Sequence, residues 1–309
     1  MSAAAPFDRV LVIAFGGPES PEQVRPFLRR VLAGRPTPEA RFEAVAHHYE
    51  RIGGRSPGPE ITRRQASALE RALRARGVTL PVVVGLRNSA PLVHDALAEI
   101  AARGGRRALG LILAAHESEA SHGRYRQAVD AARAQLGAGA PEVAYSGSFH
   151  THPGFVAAHA EHLSRALEAL PEPSAARVVF TAHSIPTGMQ QPYVAQLEES
   201  ARLVAAAVGR TDYRIAYQSR SGAPSDPWLE PDINQVIRDE AAKATRALAL
   251  CPLGFVCDHV EVLYDLDIEA AQTARDAGVK IARAAAPNDH PAFIDALAET
   301  VTAALRSAV

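Results

Sequence analysis

The chain has 309 residues, 47% of them hydrophobic and 22% charged, enough for two lobes of common domain size with real cores. Lys plus Arg (33) nearly balance Asp plus Glu (34), so no global field recruits nucleic acid or an anionic membrane surface. Cys251 and Cys257 are the only cysteines, too few for a disulfide framework or a four-thiolate metal site, and any metal chemistry falls to histidines and carboxylates.

The opening MSAAAPFDRV lacks a basic segment followed by an apolar stretch, and no run reaches the roughly 20 apolar residues of a membrane span, so a cytoplasmic protein is expected. RVLVIAF (9–15) is the first of eight short apolar runs and leads into Phe15-Gly16-Gly17-Pro18. This turn lacks the G-x-G-x-x-G and G-K-[ST] elements of phosphate loops; its glycines read as a tight turn that lets a flat ligand or another backbone come close. Ser20-Pro21-Glu22-Gln23 predicts a helix start, with Ser20 as N-cap, Pro21 in the first turn and Gln23 as capping-box partner. Arg29, Arg30 and Arg35 form a basic cluster for which a surface position is expected.

PVVVGL (81–86), ALGLILAA (108–115) and EVAYSGSF (142–149) complete a first set of four strands. RVVFTAHS (177–184), YRIAYQS (213–219), ALALCPLGFV (247–256) and VKIARAA (279–285) make the second. Amphipathic stretches rich in Ala and Arg separate them, the pattern of an α/β fold whose parallel strands are covered on both faces. The Pro- and Ala-rich segment 171–176 introduces the second set, so two lobes are expected, 1–150 and 151–309. Gly278 predicts the stop of a helix that begins near Asp258. PAFIDALAETVTAALRSAV predicts a terminal helix over about 290–309, free to pack back on the first lobe.

Ligands of open α/β sheets bind beyond the carboxyl ends of strands. That rule singles out Phe15-Gly16-Gly17, His116 with Glu117, His183-Ser184, and the Asp258-His259 pair leading to Glu261. Pro186 keeps TAHSIP from continuing as helix and favours a loop that holds His183 at the sheet edge; a histidine that only bonds backbone there is an equal reading. In DHVEVLYDLDIE (258–269), Glu261, Asp265 and Glu269 recur every fourth residue, a column about 12 Å long on one helix face. Like charges at that spacing repel and call for a cation or a shared proton, the plain alternative being a solvated acidic face. Because the column follows the most apolar strand directly, Glu261 is expected at a buried mouth, able to conduct cations or accept protons. His259 either orients the helix start or bonds toward a metal site, the structural role being preferred. Trp228, the only tryptophan, lies in a Pro-bounded loop and either walls an aromatic ligand or anchors the loop.

The segments AFGGPESPEQVRPFL, HYERIGGRSP, VGLRNSAP, TAHSIP, QSRSGAPSDPWLEPD, PLGFVCDHVEVLYDLDIE and PNDHPAFIDAL span nearly the whole chain. In this order they resemble the ferrochelatases, and among them the soluble coproporphyrin III ferrochelatases of Gram-positive and actinobacterial type. The resemblance implies two Rossmann-like lobes of the chelatase fold with the active site in a cleft between them. It implies a lyase of haem biosynthesis that inserts ferrous iron into a porphyrin, with coproporphyrin III favoured and coproheme as product. His183 then matches the active-site histidine and Glu261 the glutamate facing it across the porphyrin, both catalytic and both directed at the metal, while Asp265 and Glu269 carry metal or protons. Ser56 and Tyr125 match porphyrin-contacting positions. Phe15 stands where some members have a tyrosine that ligates the product iron, and Asn88 where some have histidine; with Trp228 and Arg30 these make the expected substrate contacts.

No cofactor is expected, ferrous iron being a substrate, and no iron–sulfur cluster, because the cysteines that hold one in many relatives are missing from this sequence. LAAHESEAS departs from the family's proline-containing version, and His116 is given no catalytic role. Porphyrin and ferrous iron are the expected partners, with other haem-pathway enzymes as candidates for contact. Two alternatives stay open. One is a chelatase for another metal or tetrapyrrole, such as cobalt into a corrin precursor. The other is a non-catalytic haem or porphyrin carrier, which Phe15 and Asn88 keep alive and the mutually repelling carboxylates argue against.

Overall fold

The computed structural model describes residues 7–34, 37–221 and 225–307; Arg35 of the basic cluster lies outside them. The described strands are β1 (Arg9–Ala14), β2 (Val82–Leu86), β3 (Arg107–Ile112), β4 (Glu142–Tyr145), β5 (Arg177–His183), β6 (Tyr213–Gln218), β7 (Ala247–Cys251) and β8 (Lys280–Arg283). The helices between them are α1 (Pro21–Val31), α2 (Glu39–Arg51), α3 (Gly58–Ala75), α4 (Val93–Ala102), α5 (Arg124–Leu136), α6 (Pro153–Glu168), α7 (Tyr193–Ala207), α8 (Ile233–Ala242), α9 (Val260–Tyr264), α10 (Ala271–Asp276) and α11 (Pro291–Ser307).

The strands form two four-stranded sheets, ordered β2-β1-β3-β4 and β6-β5-β7-β8, with every pairing parallel. Residues Met1–Ala114, Ser121–Phe149 and Ile294–Val309 make one compact unit, and Ala115–Ala120 with His150–Phe293 make another. The α/β reading therefore holds, with a strand at each of the eight apolar runs.

Within the second unit, Val179, Leu248, Leu250 and Ala216 of the sheet pack with Ile233, Val236 and Ile237 of α8 and with Val262, Leu266 and Ala270 beyond β7. All five residues of β7 are buried, as expected of a parallel strand covered on both faces. The first unit has the same construction, Leu11 and Ile13 packing with Val93, Leu97 and Ile100 of α4 and Val129 of α5.

The sheet order fixes where chemistry can gather. From β5 the chain crosses to β6 on one side and returns to β7 on the other, so connections leave the carboxyl ends of β5 and β7 in opposite directions and leave a crevice there. The same switch falls between β1 and β3 in the first sheet.

Local departures from the sequence pattern have simple causes. β7 stops at Cys251 although the apolar run continues to Val256, because Pro252 brings no N–H to the ladder and Leu253 N–H bonds back to the Cys251 carbonyl at 2.8 Å. Helix α1 starts at Pro21 as expected, but the capping box does not form: Gln23 accepts from Glu19 N at 2.9 Å, and the Ser20 hydroxyl serves Glu22. Gly278 does end α10, at φ +70°, with Val279 N–H returning to Ala274 at 2.8 Å.

Candidate functional site

His183 is the last residue of β5, lies beside Gln218, the last of β6, and is half-buried. Its Nδ1 bonds the Ser184 carbonyl. A carbonyl only accepts, which puts the ring hydrogen on Nδ1 and leaves the Nε2 lone pair outward. Tyr193 of α7 donates its hydroxyl to the His183 carbonyl at 3.0 Å; burial pushes this phenol's pKa up, so it stays a donor.

Past His183, the strand edge is stitched to the tryptophan loop. Leu229 N–H bonds Ile185 at 3.0 Å, Ser184 Oγ donates to the Leu229 carbonyl at 2.8 Å, and Pro186 pairs with Trp228. Backbone bonds thus hold the loop, and the half-buried indole of Trp228 is not its only anchor.

Beyond β7, the turn at Pro252-Leu253-Gly254 crosses directly over β5. Gly254 N–H bonds the Thr181 carbonyl at 3.0 Å, and a Cβ on Gly254 would fall 2.6 Å from Ala182 Cβ. Only glycine lets the chain pass this close to the residue before His183. Helix α9 then begins with His259 as its cap, His259 Nδ1 accepting from Glu261 N–H at 3.2 Å. Its ring packs edge-on against Phe255 at 5.1 Å. Burial lowers the His259 pKa against the opposing pull of Glu261, so the neutral ring turns Nε2–H toward Glu261 Oε2 at 4.0 Å. The structural role predicted for His259 is present, together with a second contact to the carboxylate.

These placements bring Glu261 Oε1 to 3.7 Å from His183 Nε2, both side chains being about one-third exposed. Two electron-pair donors at that distance are complementary to a proton or a metal cation. The resemblance implied that the two residues face each other across a porphyrin. A ring between them would need about 3.5 Å to each side, about 7 Å in all.

Glu261, Asp265 and Glu269 do share a helical path, but it is not a uniform α-helix. After α9 the turn widens to π geometry over Asp265–Ala270 and resumes as α10, a rare local form that recurs at functional sites. The three carboxyls differ sharply: Glu261 is half-buried, Asp265 buried and Glu269 exposed. Burial raises the Asp265 pKa to about 8, helped by Glu261 and Glu269 and opposed by hydrogen bonds from Ser219 and Gln218. Ser219 makes its bond from a left-handed backbone, φ +63°, a conformation that costs a non-glycine residue energy and gathers at functional sites. Gln218 and Ser219 carry no sequence signal of their own; their position at the end of the strand next to β5 is what marks them. Among the described residues, no three His, Cys, Asp or Glu side chains converge on one point to hold a metal ion, so His183 with Glu261 forms a pair rather than a cage.

The other predicted positions are each held within their own unit. In the first unit, Phe15 follows β1 and is the exposed large hydrophobic residue there, edge-on to Phe27 at 6.0 Å. Asn88 is buried, its Nδ2 donating to the Phe15 carbonyl at 3.1 Å, and the otherwise exposed Arg30 donates to the Asn88 carbonyl at 3.3 Å. Ser56 is buried with its hydroxyl accepting from Gly58 N–H at 3.3 Å, and a Cβ on Gly17 would meet Ser56 Cβ at 2.9 Å. The close approach predicted for the glycine pair is thus made by Ser56, part of the chain itself. Tyr125 packs in the first unit's core with Leu97 and Val129. His116 is buried and bonded to Ser200 Oγ at 3.0 Å, a structural placement. Both cysteines are buried, and burial pushes the Cys257 thiol up to about 12 and Cys251 higher still, leaving neither as a ready metal ligand.

Comparison with known proteins bears on this arrangement. The ferrochelatase family description matches residues 8–305. A protein named ferrochelatase from Rhodopirellula baltica is 44% identical over 96% of this chain and 85% of its own length. A coproporphyrin III ferrochelatase from Mycolicibacterium smegmatis is 43% identical over 96% of this chain and 89% of its own. The fold matches SirB from Bacillus subtilis, solved with Fe3+, at a TM-score of 0.57 and 12% identity, covering 95% of this chain and 94% of that one.

Proposed function

This chain belongs to the ferrochelatase family and inserts iron into a porphyrin in haem biosynthesis; we propose that the porphyrin is coproporphyrin III and that His183 and Glu261 serve the reaction from one face of the ring. The observation that carries the site assignment is the Nε2 lone pair of His183 turned toward the Glu261 carboxylate at 3.7 Å. The relative that shares the substrate's name supports the choice of porphyrin.

Inserting ferrous iron releases two protons from the pyrrole N–H groups, so two acceptors are needed for each turnover. His183 Nε2 takes one; the resulting imidazolium keeps its Nδ1–H on Ser184 and is stabilised by the adjacent carboxylate. Glu261 takes the other and hands it on along the acidic path; imidazole and carboxylate are also both suitable donors to a ferrous ion. Tyr193 on the His183 carbonyl and Gln218 on the Glu261 carbonyl, at 3.0 and 2.6 Å, hold the two backbones in register. Asp265, neutral below about pH 8, spares Glu261 a buried like charge and passes protons toward exposed Glu269. A flat macrocycle presents its nitrogen lone pairs poorly to an ion; contacts away from the centre bend it, at a strain of about 1–5 kcal/mol.

Among the described residues no helix is long and apolar enough to cross a membrane. A cytoplasmic location, and hand-over of the product to further haem-pathway enzymes, belong to the same proposal.

Turnover with ferrous iron under anaerobic conditions, followed by metalloporphyrin absorbance with coproporphyrin III and protoporphyrin IX side by side, tests the substrate. A higher kcat/KM with coproporphyrin III is expected. Preference for protoporphyrin overturns the choice, and binding of either ring without metalation identifies a carrier.

A further inference from the structure

Arg283, the last residue of β8, bonds to aspartates that bracket Glu261 and Asp265 in the chain. Its Nη1 donates to Asp258 Oδ1 at 2.9 Å, while Nε and Nη2 fork onto the two oxygens of Asp267 at 2.6 and 3.0 Å. Asp258 lies three residues before Glu261, and Asp267 lies two after Asp265, inside the widened turn. The Arg283 side chain is largely buried, at 16% exposure, although Asp267 is exposed; a forked charge pair fixes direction as well as distance.

The anchor is itself braced. Asp258 Oδ1 also accepts Ala286 N–H at 3.2 Å, its Oδ2 accepts Asn288 Nδ2 at 2.8 Å, and its own N–H donates to Asn288 Oδ1 at 2.8 Å. Asn288 in turn holds Val256 through its N–H at 3.1 Å and adopts φ +47°. The widened turn interrupts the regular helical ladder between α9 and α10, and Arg283 grips Asp267 within that turn and Asp258 just ahead of α9, so it braces the path on both sides of Glu261 and Asp265.

We propose that Arg283 is a positioning residue for metal insertion: through Asp258 and Asp267 it sets the angle at which Glu261 meets His183. The inference rests on the role given to Glu261 and adds a residue that touches neither iron nor porphyrin. Lysine keeps the charge at this position but cannot fork onto a carboxylate.

Arg283→Lys and Asp267→Asn, each prepared as the full chain and compared with the parent for thermal unfolding, porphyrin KM and kcat, test it. A displacement on the scale of 1 Å costs up to about a hundredfold in rate, so each variant is expected to lose roughly tenfold or more in kcat with porphyrin KM changed less than about twofold. The double variant is expected to lose less than about twofold beyond the worse single one, because both break one fork. A folded Arg283→Lys enzyme with parental kcat overturns the proposal, and so does a rise in porphyrin KM that accounts for the whole loss. Glu261→Gln at the parental rate would instead sink the assignment of Glu261 itself, a result separable from parental Arg283→Lys beside an impaired Glu261→Gln.

Discussion

The side-chain amide of Gln218 bonds the Asp265 carboxyl at 3.3 Å and the Glu261 carbonyl at 2.6 Å. One residue at the end of β6 therefore supports two successive positions of the acidic path, and Ser219 beside it adds a second bond to Asp265. The consequence is a carboxyl held in a polar nest but shut off from water, which is why its protonated form is favoured.

Asp265 should make the protein less stable as pH rises. Its folded pKa of about 8 lies above the ordinary value of 3.8, so between those values the folded chain binds the proton that the unfolded chain releases. Stability from this group is fully present below about pH 4 and is lost progressively up to about pH 8. Thermal unfolding from pH 5 to 9 is expected to show the parent losing stability relative to Asp265→Asn, whose amide mimics the neutral acid. Parallel curves would show that Asp265 ionises normally.

Gly254→Ala should damage the site from a distance of one residue. The added Cβ would lie 2.6 Å from Ala182 Cβ and 2.7 Å from its Cα, so the turn or the strand end must move, and His183 follows Ala182 directly. A drop in Tm together with a loss of kcat of up to about a hundredfold is expected; unchanged kinetics would show that the strand end absorbs the methyl without moving the imidazole.

Glu240 provides a contrast in which stability and rate separate. Its carboxylate is fully buried and bonded to Arg214 and Lys243, each at 3.0 Å, with Arg177 at 3.4 Å and Thr245 at 3.1 Å. Arg177 opens β5 and His183 closes it, a separation of about 20 Å at roughly 3.3 Å per residue. Glu240→Ala leaves three cations without their shared partner and is expected to cost about 3 kcal/mol of stability in denaturant unfolding. The kcat of the folded fraction should stay within about twofold, because effects this far from a reacting centre are usually independent of it.

Much of this could be read from the sequence because parallel strands buried on both faces are apolar throughout and stand out against amphipathic helices. His183 and Glu261 were each recoverable from their place just past such runs. Their adjacency was not, since 78 positions separate them and only the order β5-β7 brings their strand ends together. The even spacing of Glu261, Asp265 and Glu269 showed the path but hid the widened turn, which depends on a hydrogen-bond pattern that no residue type specifies. Arg283 escaped notice among many arginines, its role set by two aspartates from a different segment.

Iron insertion into coproporphyrin III by His183→Ala and Glu261→Gln, measured anaerobically beside the parent with porphyrin binding followed separately, tests the pair most directly. Removing a positioned acid–base group costs about a hundredfold or more. Each variant is therefore expected to bind the ring as the parent does and to insert iron at least about a hundredfold more slowly. Either variant working at the parental rate would contradict the assignment.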